Sequence, residues 1–163
     1  MIELPLLIFR TVIRLLSSLA LLADRDWPDR TLRALVVDDE ADVRELPAAR
    51  LEMLGDLVTN ANSTDAALAQ IEARLGDSGA EPFAVLISDI GMPGADGYEL
   101  IRRVRERPDD RVSRLRGVAL TAYARSDDRL RSLRAGFYMH VPKPADEKEL
   151  TTVIAALMGG QLR

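Results

Sequence analysis

The sequence predicts an α/β domain built on a parallel sheet, and three observations predict it. Short apolar runs alternate with amphipathic helical stretches from Arg33 onward. The runs, "ALVV" (34–37) and "FAVLIS" (83–88) above all, are near-continuously apolar, as strands covered on both faces must be. Aspartates, a threonine and a lysine follow the runs, at the carboxyl ends where open α/β sheets bind ligands.

The first stretch, "MIELPLLIFRTVIRLLSSLALLAD" (1–24), stands apart from that alternation. On a helical wheel Glu3, Arg10, Thr11, Arg14, Ser17, Ser18 and Asp24 share one arc, with leucine, isoleucine and valine over the remainder. That pattern predicts an amphipathic helix. Arg10 and Arg14 inside the apolar run argue against a spanning helix. With Glu3 and the lack of a small-x-small site they also argue against a signal peptide. Packing on its own domain or on a twin chain is the plain reading. Contact with a membrane surface is the weaker one, because the polar face holds only two arginines. Residues 25–33, opening "RDWPDRT" and broken by Pro28, read as a linker, and the main domain as 34–160.

Within that domain "ALVV" is the first strand and leads into a helix with Val43, Leu46, Leu51 and Leu54 as its apolar positions. Pro47 falls inside this helix, where a missing N–H costs about 3 kcal/mol or produces a kink. "LVT" (57–59) is a second strand, and Leu68, Ile71 and Leu75 mark the next helix. After the loop "GDSGAEP" comes "FAVLIS", then a helix "YELIRRVRER" opened by Asp96 and Glu99 in a capping-box arrangement. "GVALTAY" (117–123) is a fourth strand. The helix after it has Ser126 as N-cap and Gly136 as stop. "FYMHV" (137–141) is a fifth strand, and Leu150, Val153, Ile154 and Leu157 line one face of a closing helix.

Composition narrows the chemistry. The chain has 163 residues, enough for one domain, and its net charge of −4 is mixed along the sequence rather than gathered in the basic stripe of a nucleic-acid binder. The absence of cysteine excludes disulfide frameworks and thiolate metal sites, and fits a reducing, cytoplasmic compartment. His140 is the single histidine, so no His–His metal pair exists. Of 22 basic residues only Lys143 and Lys148 are lysines, which draws attention to where each falls.

The strand ends collect the candidate site. Asp38, Asp39 and Glu40 end the first strand, Asp89 the third, Thr121 and Ala122 the fourth, and Pro142, Lys143 and Pro144 follow the fifth. Two carboxylates ~4 Å apart repel by roughly 4 kcal/mol at an effective dielectric near 20, so such a cluster calls for a cation. With oxygen donors only, the fitting ion is hard and octahedral, Mg²⁺ or Mn²⁺. Lys143 supplies further positive charge. The Thr121 hydroxyl and a metal beside a carboxylate suit the oxygens of a phosphoryl group, with Asp89 as the nucleophile that accepts it.

"LVVDDE", "LISDIGMPGADGYEL", "ALTAYA" and "HVPKP", in that order and spacing, resemble the response-regulator receiver domain of two-component signalling. The resemblance covers about Leu35 to Met158. It implies a flavodoxin-like, doubly wound (βα)5 fold with strand order 2-1-3-4-5, here with the extra N-terminal helix. Carried over by position, Asp38 and Asp39 match the acidic metal-binding pair, Asp39 being the direct ligand. Asp89 matches the phosphoacceptor and metal ligand, and Gly91 the donor of a backbone carbonyl to the metal. Thr121 matches the switch hydroxyl and Lys143 the lysine of the site, with a cis peptide implied between Lys143 and Pro144. His140 stands where a switch aromatic is usual. It is expected to pack and hydrogen-bond, and to move with Thr121. Gly91 and Tyr123 occupy the positions that manage the hydrolytic water. Because Gly91 cannot orient a water, slow self-dephosphorylation is expected.

The implied partners are a histidine kinase or histidine phosphotransfer protein and a downstream protein. The implied role is a self-phosphorylating switch rather than a conventional enzyme. The chain is expected to be either a single-domain regulator or the receiver end of a hybrid kinase. An aspartate-nucleophile phosphatase would want an acid at Gly91, and a flavodoxin would not place "DDEADV" beside a phosphate. A histidine kinase would need a glycine-rich nucleotide box. A receiver fold that signals by docking without phosphorylation is the alternative.

Overall fold

In the computed structural model the strands β1 (Arg33–Val37), β2 (Leu57–Ala61), β3 (Val85–Asp89), β4 (Arg116–Thr121) and β5 (Met139–Pro142) form one parallel sheet in the order β2-β1-β3-β4-β5. The structure describes residues 31–122, 126–145 and 147–158. The amphipathic helix expected over 1–24, most of the expected linker, Tyr123 and the Ser126 side chain lie outside the described residues. Among the described residues no helix is long and apolar enough to cross a membrane.

The helices are α1 (Ala41–Met53), α2 (Thr64–Gly76), α3 (Gly97–Arg105), the short α4 (Asp110–Ser113), α5 (Ser126–Ala135) and α6 (Glu147–Leu157). Alternate side chains of each inner strand feed two cores, one on each face of the sheet. Leu35, Val37 and Leu86 join Leu68, Ile71, Leu100 and Ile101 under α2 and α3. Ala34, Val36, Val85 and Ile87 join Leu51, Leu54, Leu150 and Ile154 under α1 and α6. β3 is buried along its whole length, which explains why "VLIS" shows no polar alternation.

Boundaries follow hydrogen bonding rather than apolarity. Phe83 is buried but precedes β3, whereas Asp89 lies within it, paired opposite Leu120. β1 opens at Arg33, and Leu32 is buried beside it, so the sheet begins inside the stretch read as linker. β2 runs on to Ala61, β4 stops at Thr121, and β5 is shifted to 139–142. Asp96 caps α3 by accepting from the Glu99 N–H at 2.8 Å. The Glu99 carboxylate turns outward to Arg102 and Arg103. α1 runs unbroken through Pro47, whose ring is buried. The carbonyl of Val43 there loses its helical donor.

α4 was not foreseen. Asp109 caps it by accepting from the Arg111 N–H at 2.8 Å, and Val112 anchors it in the core. Half-buried Arg105 ties this corner together. It donates to the Ser113 and Leu115 carbonyls at 2.8 and 2.7 Å, and twice to the Gly136 carbonyl at 2.9 and 2.7 Å. Gly136 ends α5 at φ +116°, a conformation that side-chain-bearing residues rarely adopt.

Candidate functional site

Parallel strands pointing one way bring their last residues to a common edge. Asp38 follows β1, held by its N–H to the Ala61 carbonyl at 3.2 Å, and Asp89 ends β3. Ligand oxygens of Asp38, Asp39 and Asp89 all lie within 4.8 Å of one another. Asp38 and Asp89 are buried and Asp39 is exposed, so the cluster opens to solvent on the Asp39 side. Asp38 is further engaged on its other oxygen, which accepts from the Glu40 N–H at 2.9 Å. Its backbone carbonyl accepts from Arg44. Glu40 itself is exposed and stays outside the cluster.

Lys143 reaches in from the end of β5. Its Nζ lies 2.7 Å from Asp38 Oδ2 and 2.9 Å from Asp89 Oδ1. Burial alone pushes this ammonium down, but hydrogen bonds and charge from Asp38 and Asp89 outweigh it and hold its pKa above the ordinary lysine value. The Lys143–Pro144 peptide is cis. The backbone N–H of Lys143 donates to the Thr121 carbonyl at 2.6 Å, so the ends of β4 and β5 are joined where the lysine enters.

Thr121 is buried at the end of β4. His140 is half-buried on β5, opposite Ala119 in the register, with its Nδ1 3.5 Å from Ser132 Oγ of α5. Burial lowers the His140 pKa, Asp128 raising it and Arg129 lowering it by smaller amounts. Gly91 is exposed, and a Cβ built there would sit 3.5 Å from Asp89 Oδ2, so a side chain at this position would reach the carboxylate.

Two residues that the sequence reading passed over also position the site. Gly97 opens α3 against the backbone of Asp89: a Cβ there would lie 2.2 Å from the Asp89 carbonyl oxygen. The "DG" of "PGADGYEL" was a signal for it, but one that reads as an ordinary turn. Thr64 Oγ1 donates to the Ala95 carbonyl at 2.8 Å and pins the loop that follows Asp89 to the start of α2.

The donor set fits a hard divalent cation. Three carboxylates offer oxygens only, two of them are buried, and a single lysine leaves the group net negative.

The family model described as the response regulator receiver domain matches residues 34–155. The chain is 43% identical over 120 residues to an uncharacterized 14.6 kDa protein of Leptolyngbya boryana, covering 74% of this chain and 85% of that one. It is 36% identical over 129 residues to the response regulator Rre1 of Synechocystis, covering 78% of this chain but only 52% of Rre1. It superposes with a TM-score of 0.70 and 30% identity on a crystal structure from Chloroflexus aurantiacus J-10-fl, covering 80% of this chain and 99% of the other. With the sheet order and the clustered strand-end aspartates, these matches make the chain a member of the response regulator receiver domains of two-component signalling.

Proposed function

We propose that the chain accepts a phosphoryl group on Asp89 from a histidine kinase or histidine phosphotransfer protein and thereby switches a protein-interaction surface. The observation that carries this reading is the cluster of Asp38, Asp39 and Asp89, with Lys143 bridging Asp38 and Asp89. A carboxylate oxygen of Asp89 attacks the phosphorus of a phosphohistidine. The P–N bond breaks, and the leaving imidazole takes up a proton. Water later attacks the acyl phosphate and returns inorganic phosphate and the free carboxylate.

Asp38, Asp39, Asp89 and the Gly91 carbonyl would hold Mg²⁺ or Mn²⁺. When bound, the ion supplies positive charge to the phosphoryl oxygens. Lys143 turns its ammonium from the carboxylate to the transferred group, and the Thr121 hydroxyl donates to a phosphoryl oxygen. Movement of Thr121 changes the space above His140, which passes the change to α5 through its neighbour Ser132. Gly91 brings no polar group to the attacking water, which supports a long-lived phosphorylated state.

The test is intact mass after incubation of the purified chain with Mg²⁺ and acetyl phosphate, beside Asp89→Asn. One added phosphoryl group in the native chain and none in the variant supports the reading. No addition to folded, Mg²⁺-bound protein, or equal addition to the variant, overturns it.

A further inference from the structure

The three aspartates of the cluster are held by different means. The Asp38 carboxylate accepts from the Glu40 N–H and from Lys143, and that of Asp89 from Lys143. Asp39 is exposed, and among the described residues its carboxylate accepts no hydrogen bond and enters no ion pair. One of its oxygens nevertheless lies within 4.8 Å of those of Asp38 and Asp89. The backbone must therefore aim it.

That backbone is gripped from α1. Arg44, Pro47, Ala48 and Leu51 share one helix face, on which Pro47, Ala48 and Leu51 are buried. Arg44 is half-buried at the upper end of this face. Helical side chains lean toward the helix N-terminus, so its stem runs back to the connection between β1 and α1. There its guanidinium donates to the Asp38 carbonyl. Glu40, Asp42 and Glu45 are exposed and close by in sequence, yet among the described residues Arg44 forms no ion pair with them. A cation in the opening turn also stands against the helix dipole, so helix stability alone does not favour it.

The Asp38 carbonyl and the Asp39 N–H belong to one planar peptide unit. A donor that fixes this carbonyl fixes the plane from which Asp39 departs, and with it the direction of the Asp39 side chain. Asp38 is thus clamped at both ends: its N–H donates to the Ala61 carbonyl at 3.2 Å, and its carbonyl accepts from Arg44.

We propose that Arg44 is a positioning residue for the cation site, holding the peptide between Asp38 and Asp39 so that Asp39 faces Asp38 and Asp89. It acts through Asp39 and not by touching the ion. The inference rests on the cation-binding reading of the three aspartates and is independent of phosphoryl transfer. A simpler role makes the opposite prediction. As a nearby charge alone, Arg44 repels a divalent cation, and removing it tightens binding. As a lock, its removal lets Asp39 turn to solvent and weakens binding.

The test is a Mg²⁺ titration of the isotope-labelled full-length chain, followed by backbone amide shifts in two-dimensional NMR spectra that also verify each variant's fold. Loss of a group that orients a metal ligand costs about 10–100-fold in affinity, and Arg44→Met is expected at the lower end, about 10-fold weaker. Arg44→Gln, also neutral, takes its place if Arg44→Met does not fold. Asp39→Asn weakens binding too, and in that background Arg44→Met is expected to change affinity by less than about 2-fold, because the ligand it positions is gone. Unchanged or tighter binding in Arg44→Met would overturn the proposal and leave the cation site standing. So would a loss of about 10-fold repeated in the Asp39→Asn background. No binding to the native chain would overturn the proposal together with the cation reading of the cluster.

Discussion

Replacing Lys143 by methionine removes the charge that holds the aspartate cluster together while keeping most of the side chain's volume. On a Coulomb scale with an effective dielectric near 20, carboxylate oxygens lying within 4.8 Å of one another repel by at least about 3.5 kcal/mol per pair. On the same scale Lys143, at 2.7 and 2.9 Å, attracts Asp38 and Asp89 by about 6 kcal/mol each. Desolvation of the ammonium offsets much of that attraction, and removing one partner of a buried pair costs about 3–5 kcal/mol net. A domain of ordinary stability, about 5–15 kcal/mol, becomes marginal at that loss. The variant's site carries one more net negative charge, so Mg²⁺ binds it more tightly and restores more stability than it adds to the native chain. Urea unfolding followed by far-UV circular dichroism, with and without millimolar MgCl₂, reads both quantities. A loss below about 1 kcal/mol without Mg²⁺, the range of an exposed ion pair, would refute the reasoning. So would equal stabilisation of the two proteins by the ion.

Gly97→Ala places a methyl group 2.2 Å from the Asp89 carbonyl oxygen, so α3 or the end of β3 must shift. A stability loss of about 1–3 kcal/mol is expected in urea melts, with slower acetyl phosphate incorporation than in Asp96→Ala, which loses only a cap. Gly91→Asn brings an amide within reach of Asp89 and a hydrolytic water. The phosphorylated variant is expected to lose its group faster than the native chain, as followed by intact mass over time. Folding lowers the His140 pKa, so its neutral form is favoured: the contribution is present above the ordinary value of about 6.5 and lost as pH falls through the lowered one. His140→Asn should therefore flatten the decline of stability as pH falls from about 6.5 toward the lowered value, measured by urea midpoints across a pH series.

What the sequence made legible follows from which physical signals are local. β3 could be read because burial on both faces removes polar residues from it, and Asp89 because a carboxylate breaks such a run only for a reason. The same logic found Asp38 and Lys143, whose meeting across 105 residues depends only on strands ending at a common edge. α4 escaped because four residues carry no periodicity, and its anchor, the Asp109 cap beside buried Val112, resembles any acidic turn. Arg105 escaped for a related reason. It reads as one arginine of many on a solvated helix face, and only the tertiary arrangement of two connections with three accepting carbonyls shows that it is half-buried and makes four hydrogen bonds. Gly97 was visible as a glycine but not as a contact, since the close approach to Asp89 depends on the angle at which α3 leaves the loop.

The site's unfavourable electrostatics and its proposed switch share one covalent link. Lys143 holds the cluster through its Nζ and holds β4 through its backbone N–H, which donates to the Thr121 carbonyl at 2.6 Å. Whatever draws the ammonium from Asp89 toward a phosphoryl group therefore pulls on the segment that meets Thr121. A phosphoryl group on Asp89 would also draw the Thr121 hydroxyl, so on the proposed switch both displacements converge on the ends of β4 and β5. His140, half-buried on β5 and beside Ser132 of α5, is a polar side chain placed to follow. Beneath these ends the strands are packed without slack, Val85, Leu86 and Ile87 all being fully buried, so the lower sheet resists deformation. On the proposed switch, movement would be confined to the strand ends and the elements that rest on them, α5 and the loop into α6.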